Sequence, residues 1–530
     1  MELNMAQFWI RFDAQCSRQA EEVALASNME KITYAQLKQQ MNKICVSLHQ
    51  NGCRPGKRIA IDDVGILSKA SAFLAIMRFG CTYVHMDDRL SIAQKRNLLR
   101  NLDADYFITS EQMVSEADSV YIHPFEETSG SSEQDCEVDE EWTNEFSIVY
   151  CSGLHDGMEQ VLQSSTMLMN WLQFNKEILK VPFDESLTMI GPSGMELLFP
   201  IWLGNVMAGG KATFILKDNG YFNLEAEIGK VKDSALALPI EMLGDWSSFW
   251  DVETAFPDSL KTVITMGEHL FDSDPFKTRL LKEEIKWYNY FGYPRIHLVS
   301  SITGTRETEY HHIGRAVMNT KTYVLNQTLK PVPVGMIGRL YVSGMGTGKS
   351  VNGNGDERTT VSPFEKGEVL HPTAYQAKWN EEGTLTLYNN LNRIVLIDGI
   401  EINLDELGNL LMLHPSVLDC WVDIRGGTAS NLYILGYVSL STHSNSFEDL
   451  HSYMSVFLPR HMQLSYIQLS RIPRDGEGKI AAQLIRASHF LSSLELKKIE
   501  NSLKSKYKLD EILIYSSEES SEVDYIKFEA

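Results

Sequence analysis

The chain is short of positive charge, of paired cysteines and of long apolar runs, and each shortage removes a class of function. Lysine and arginine number 48 against 70 aspartate and glutamate, a formal net charge of -22. A surface of that sign repels phosphate backbones and anionic headgroups, so neither nucleic acid nor a membrane is an expected partner. The seven cysteines, at positions 16, 45, 53, 81, 136, 151 and 420, form no C-x-x-C pair. His49, His85 and His155 each stand four residues after a cysteine, but none has the further ligands that a metal site needs, and no metal is expected. Scattered thiols fit a reducing compartment, so the cytoplasm is the expected location. No apolar run approaches the ~20 residues that span a bilayer, and Met1-Glu-Leu-Asn4 does not open a basic segment leading into an apolar core. Neither a Gly-x-Ser-x-Gly elbow nor a His-Glu-x-x-His helix occurs.

What is present is enough apolar material, 43% of 530 residues, for several buried cores. Phe8 to about Gln50 has a helical pattern interrupted at Lys31–Leu37, where Thr33 is placed to cap a helix carrying Leu37, Met41, Ile44, Cys45 and Leu48 on one face. A strand at 58–62, a helix at 69–79, a strand at 80–86, a helix near 93–102 and a strand at 106–109 follow. The Ser-, Gly- and acid-rich segment 126–141 has no periodicity and is expected to be a solvated loop. Helices at 166–179 and 195–208 and a strand at 211–216 continue the alternation, which persists to about residue 300. Alternation of this kind predicts parallel sheets covered by helices.

From Ile313 the pattern changes to strands and turns, with strands at 320–325 and 338–343 and a hairpin over 384–397 joined near Asn389-Asn390. A smaller run of helices and strands then extends to Arg486. The expected fold is α/β. A large N-terminal domain, residues 1–391, has parallel and mixed sheets covered by helices plus a small β-barrel-like part. A smaller α+β domain, 392–486, is joined to it by a hinge at Asn392. The tail, 487–530, reads as an amphipathic helix, a short strand and an acidic end.

The stretch Tyr150 to Val161 runs from a strand end into a polar loop at the place where a phosphate-binding loop is expected. Such loops use small residues, hydroxyl donors and usually a lysine. Ser152, Gly153 and Gly157 fit that chemistry, but Asp156 and Glu159 repel a triphosphate.

Together these segments resemble the adenylate-forming superfamily, specifically the amino-acid adenylation domains of nonribosomal peptide synthetases. The matching stretches include Ile32-Thr-Tyr-Ala-Gln-Leu37, Met77 to Asp87, Gly314-Arg315, Tyr323-Val-Leu325, Pro333-Val-Gly335, Gly338 to Gly344, Gly383-Thr-Leu385, His414-Pro-Ser-Val417 and Gly478-Lys-Ile480. They fall in one colinear order over about residues 8 to 484. The resemblance implies ATP-dependent conversion of a carboxylate to an acyl-adenylate, rotation of the small domain, and loading of a carrier thiol.

Residue by residue, the implied chemistry is damaged. The family's phosphate loop has small hydroxyl residues and a lysine where this chain has Leu154, His155 and Glu159. Its Tyr-Gly-Pro-Thr-Glu motif, whose Glu helps to hold Mg²⁺, aligns with Phe291-Gly292-Tyr-Pro-Arg295, so a cation replaces the metal ligand. Its ribose-binding Asp aligns with Tyr375, which cannot clasp two hydroxyls as a carboxylate does. The hinge Asp falls on Asn392, and the Asp that pairs with a substrate ammonium falls on Pro192. The other aligned pocket positions carry Glu196 and Glu241, then Ile264, Met266, Tyr290 and Leu298. Either Tyr290 and Met266 plug the pocket, or Glu196 and Glu241 hold a cationic ligand. Lys479 retains the family's terminal lysine, which stabilises the negative charge of the transition state.

Two other signals compete. Ser343 to Ser350 resembles a Walker A loop but has Ser343 where the first glycine belongs, and it reads as a mobile surface loop. His311-His312 point apart on any regular element, which favours a structural role. The leading expectation is an adenylation-domain-like protein whose site is degenerate and which binds or scaffolds a carrier protein or other peptide-synthetase pathway proteins, without a cofactor. The alternatives are an active ligase using ATP, Mg²⁺ and Lys479 on an unusual carboxylate or amino acid, and an acyltransferase or condensing partner using Cys151 or His155, which stand four apart and meet only on a helix.

Overall fold

The computed structural model describes residues 4–62, 65–85, 95, 99–100, 102, 104–109, 120–122, 145–152, 158–191, 199–216, 224–240, 242, 256–267, 280, 282–293, 296–304, 312–350, 359–397, 400–425, 433–441, 447–457, 464–474, 480–487, 513–516 and 526–529. The chain divides into two compact units, which change over between Leu391 and Asn392. The architecture is mixed α/β, with parallel and mixed sheets and covering helices. The segments expected at 126–141 and 491–507 lie outside the described residues, as does most of the helix expected near 93–102.

Among the described residues the first unit has three sheets. The largest runs, edge to edge, Arg315–Ala316, Ile296–Gly304, Lys286–Tyr293, Thr262–Gly267, Ala235–Pro239, Ser186–Gly191, Lys211–Leu216, Val23–Ser27 and Lys31–Thr33. Its six inner strands from Lys286–Tyr293 to Val23–Ser27 are parallel. Ala235–Pro239 and Thr262–Gly267 are buried along their whole length. Parallel strands covered on both faces read in this way, as continuous apolar runs. A second sheet places Glu145–Ser152, Thr82–His85, Arg58–Ile61, Tyr106–Ile108 and Val120–Ile122 side by side.

Helix Tyr34–Gln50 forms where its sequence says it should. Thr33 accepts from the Gln36 backbone N–H (3.2 Å) and the Gln36 side chain accepts from the Thr33 N–H (2.8 Å), a reciprocal capping box. Leu37, Met41, Ile44, Cys45 and Leu48 are buried, as the spacing predicts, against the helix Ile66–Arg78 and the first core.

Four expectations are corrected. Val23–Ser27 is a strand, although Val-Ala-Leu-Ala-Ser reads as helix; pairing with Lys211–Leu216 on one side and with Lys31–Thr33, inside the interruption, on the other overrides local propensity. The α/β alternation stops at Tyr293, because Ile296–Gly304 turns back antiparallel on Lys286–Tyr293. The hairpin expected over 384–397 does not form. Leu385–Asn390 pairs with the long strand Val369–Trp379, while Ile394–Ile397 pairs with Ile400–Asn403, and a tight turn at Leu391–Arg393 separates them. In the Walker-like stretch, Lys349–Ser350 is not a loop but a short strand paired with Val161–Leu162.

A third sheet, Thr320–Leu325, Gly338–Gly344, Val369–Trp379 and Thr360–Val361 with Leu385–Asn390 on its long strand, closes the first unit. Glu368 ties its connections together. Its carboxylate accepts from Ser362 Oγ (2.6 Å), Ser343 Oγ (3.0 Å) and Tyr323 Oη (3.0 Å), with Lys321 Nζ at 3.3 Å. Burial pushes this carboxyl upward, but the four donors outweigh it and hold the group below the usual range.

The second unit has a sheet of Val417–Arg425 antiparallel to Tyr433–Leu440, which is parallel to Leu464–Gln468. Helices Leu404–Met412 and Phe447–Met454 cover one face. On the other face Trp421 stacks on Tyr437 (5.4 Å), and buried Asp423 bonds Arg486 Nε at 2.8 Å with Arg393 NH1 at 3.8 Å. A hairpin of Leu513–Ser516 with Ile526–Glu529 adds a strand to the single one expected in the tail.

Candidate functional site

Two adjacent parallel strands, Thr262–Gly267 and Lys286–Tyr293, bring together three of the positions that the resemblance assigns to a substrate pocket, Ile264, Met266 and Tyr290. Their register sets Ile264 opposite Tyr288 and Met266 opposite Tyr290. Because strand side chains alternate with period two, these four share one face. All four are essentially fully buried in the first core.

Tyr290 is the centre of this group. Its hydroxyl bonds the side-chain carbonyl of Asn175, a buried residue in the single π-turn Asn175–Leu179 that prolongs helix Ser165–Phe174. Asn175 Nδ2 in turn donates to the Trp171 carbonyl at 2.9 Å, and the Trp171 ring lies 5.5 Å from that of Tyr290. Such a π-turn re-aims one side chain relative to a regular helix, and here it is Asn175. Burial pushes the Tyr290 phenol well above its usual range, with Tyr288 adding to the effect, so Tyr290 stays a neutral donor. Tyr288 Oη and Trp171 Nε1 are buried and find no hydrogen-bond partner among the described residues.

One residue further along the strand the second half of the site begins. Phe291 packs its ring against Tyr375 at 5.5 Å and 79°, an edge-to-face arrangement. Both are buried, at 1% and 6% exposure, in the core of the third sheet. The Tyr375 backbone N–H donates to Thr373 Oγ1 (3.0 Å), which itself donates to the Leu340 carbonyl (2.9 Å), so Tyr375 is held from both ends. The position aligned with a ribose-clasping carboxylate is thus occupied by a phenol ring inside an apolar cluster. A single phenol oxygen does not fit a ribose diol, whose two hydroxyls are clasped by the two oxygens of one carboxylate.

The remaining positions are dispersed. Gly292 falls where the pairing of Lys286–Tyr293 with Ile296–Gly304 shifts register, and Leu298 lies on the latter strand. Ser152 and Glu159 are strand residues, Ser152 opposite Met158 and Cys151 opposite Glu159. Glu159 is therefore not part of the loop to which the sequence assigned it, and Cys151 is not on a helix from which it would meet His155. Asn392 sits in the turn Leu391–Arg393. Gly153, His155, Asp156, Gly157, Pro192, Glu196, Glu241, Arg295 and Lys479 lie outside the described residues. His312 Nδ1 accepts from the Gly314 N–H (3.0 Å), a local structural role, while His311 also lies outside the described residues. Among the described residues no three His, Cys, Asp or Glu side chains gather as a metal site does, and no described helix is long and apolar enough to cross a membrane.

Sequence reasoning missed Asn175 and Trp171. The available signal was an asparagine four residues after a tryptophan in an otherwise apolar helix, since positions four apart share a helix face.

Comparison with known proteins bears on the fold. Residues 12–156 match the family model described as AMP-binding enzyme. Tyrocidine synthase 2 of Brevibacillus parabrevis is 23% identical over 481 residues, covering 88% of this chain but 13% of that protein. Gramicidin S synthase 2 of Brevibacillus brevis is 24% identical over 488 residues, with 88% and 11% covered. The chain therefore spans about an eighth of the length of these relatives. Among solved structures, Klebsiella oxytoca NpsA in complex with 3-hydroxyanthranilyl-AMSN superposes with a TM-score of 0.72 at 18% identity, covering 90% of this chain and 98% of that one. The four-domain nonribosomal peptide synthetase holo-AB3403, bound to AMP and glycine, gives 0.74 at 19% identity, with 92% and 36% covered.

Proposed function

We propose that this chain, which has the fold of the adenylate-forming superfamily and homologues among the adenylation domains of nonribosomal peptide synthetases, is a degenerate member that works by binding or scaffolding pathway proteins. The observation that carries this reading is the buried contact of Tyr375 with Phe291. Where the resemblance implies a carboxylate facing a ribose, a phenol is part of the core.

Other changes point the same way. Asp156 brings negative charge to the loop that the resemblance assigns to phosphates, Arg295 replaces a Mg²⁺ ligand, and Pro192 replaces the partner of a substrate ammonium. Each lost charge-assisted contact is worth roughly 1.5–3 kcal/mol, and several fall together, so nucleotide affinity drops by orders of magnitude. Neither ATP nor Mg²⁺ is then a cofactor. The protein works in the cytoplasm beside a carrier protein or another synthetase component, and residues 487–530 supply a docking element.

Calorimetry with Mg-ATP and carboxylate-dependent pyrophosphate exchange test the reading. No heat of binding and no exchange are expected. Robust exchange that disappears in Lys479→Ala overturns it in favour of an active ligase. For docking, recovery of partner proteins with and without residues 487–530 is compared; unchanged recovery rejects the role of the tail.

A further inference from the structure

Away from this site, two of the cysteines that looked scattered in sequence meet in space. Cys53 Sγ and Cys81 Sγ are 3.7 Å apart although 28 positions separate them. Both are buried, at 4% and 1% exposure, and both approach the same acceptor, the Arg54 carbonyl, at 3.8 and 3.3 Å. No disulfide joins them.

Their meeting follows from the topology. Cys53 lies just past the C-terminus of helix Tyr34–Gln50, and Cys81 just past that of helix Ile66–Arg78, each where the chain turns into a strand of the second sheet. Those strands, Arg58–Ile61 and Thr82–His85, are parallel neighbours, so their entry corners lie side by side. The Gly56 N–H donates to the Gly80 carbonyl (2.7 Å) and the Thr82 N–H to the Lys57 carbonyl (2.8 Å), which clamps the corners together. The sulfurs need to close from 3.7 Å to the ~2.05 Å of a disulfide, a movement within the reach of side-chain rotation on backbones already held together.

We infer that Cys53 and Cys81 form a site of reversible disulfide modification that staples two helix-to-strand corners of the first unit. With a small organic disulfide such as oxidised glutathione as oxidant, the Cys53 thiolate attacks one glutathione sulfur. The glutathione S–S bond breaks, a mixed disulfide forms, and the first glutathione leaves as its thiol. The Cys81 thiolate then attacks Cys53 Sγ and expels the second glutathione. Two protein thiols are oxidised, one disulfide is reduced to two thiols, and the two protons end on the two glutathiones. The hydrogen bond with Cys81, and then burial, keep Cys53 protonated, so the reaction is slow beside that of an exposed cysteine.

The purified full chain is incubated with oxidised glutathione, then alkylated under denaturing conditions and digested without reductant. A peptide pair joined through Cys53 and Cys81 is expected, with five of the seven thiols still alkylated. Reduction with dithiothreitol restores all seven. Closing a loop of this length raises the melting temperature of the first unit by about 4 °C, and Cys53→Ser abolishes both the joined peptide and the shift. Retention of seven thiols at long times, a glutathione adduct on Cys53 that never resolves, or cross-links that join other cysteines instead overturn the inference. The peptide map of the unsubstituted protein decides this even if Cys53→Ser folds poorly.

Discussion

The Tyr290 hydroxyl bonds the Asn175 side chain across 115 positions of sequence, and this bond lies inside the first core. Neither residue is exposed, so without this bond the Asn175 side-chain oxygen and the Tyr290 hydroxyl each lose a buried partner. Tyr290→Phe leaves the Asn175 carbonyl oxygen unpaired, and Asn175→Ala leaves a buried phenol unpaired; each is expected to cost about 1–3 kcal/mol. Because the two changes remove the same bond, the double substitution costs less than their sum. Urea denaturation of the four proteins measures this, and strict additivity would show that the pair is not coupled.

Glu368 makes the third sheet sensitive to acid. Its folded-state pKa lies below its ordinary value of 4.5, so its stabilisation is fully present above about that pH and is lost as pH falls through the lower folded value. Glu368→Gln is expected to destabilise the first unit by about 1–3 kcal/mol near neutrality. The gap between the two proteins narrows as pH drops below about 4.5. Denaturant midpoints taken from pH 7 down to pH 3 report the trend, and a gap that stays constant contradicts it.

In the second unit Asp423 is the buried counter-charge of Arg393 and Arg486, whose guanidinium groups also lie 5.4 and 5.9 Å from the Trp421 ring. Removing it as Asp423→Ala leaves both cations without that partner in a partly buried setting, an expected loss of about 3–5 kcal/mol. Amide hydrogen exchange should speed up over Val417–Arg425 and Ala482–Ala487. Exchange of the first unit should be unchanged, and equal acceleration in both units would refute this assignment.

Thr33→Ala removes the hydroxyl half of the capping box on helix Tyr34–Gln50. The expected cost is about 1 kcal/mol. Thr33→Ser should recover most of it, and thermal melts of the three proteins decide whether the cap matters as stated.

Much of the scaffold was legible before any coordinates. The Thr33 cap, the buried face from Leu37 to Leu48 and the strands around Arg58, Tyr106 and Lys211 follow from periodicity and turn chemistry, which are local. The misses have one physical cause. Val23–Ser27 is a strand only because Lys211–Leu216 lies beside it, and Leu385–Asn390 pairs with Val369–Trp379 rather than with the segment after Asn389-Asn390. In each case a distant partner supplies hydrogen bonds and burial that outweigh local preference.

The candidate site divides along the same line. Its bulk and charge are properties of residue type, so the sequence alone determined that Tyr375, Arg295 and Pro192 lack the carboxylates the resemblance calls for, and that Tyr290 and Met266 are large. Contact is a property of the folded chain. Only the tertiary structure decided that Tyr290 is held by Asn175, that Tyr375 is packed on Phe291, and that Cys53 faces Cys81. Side-chain identity carries charge, size and the capacity for hydrogen bonds, whereas distance between residues far apart in sequence is set when sheets and helices pack around a common core.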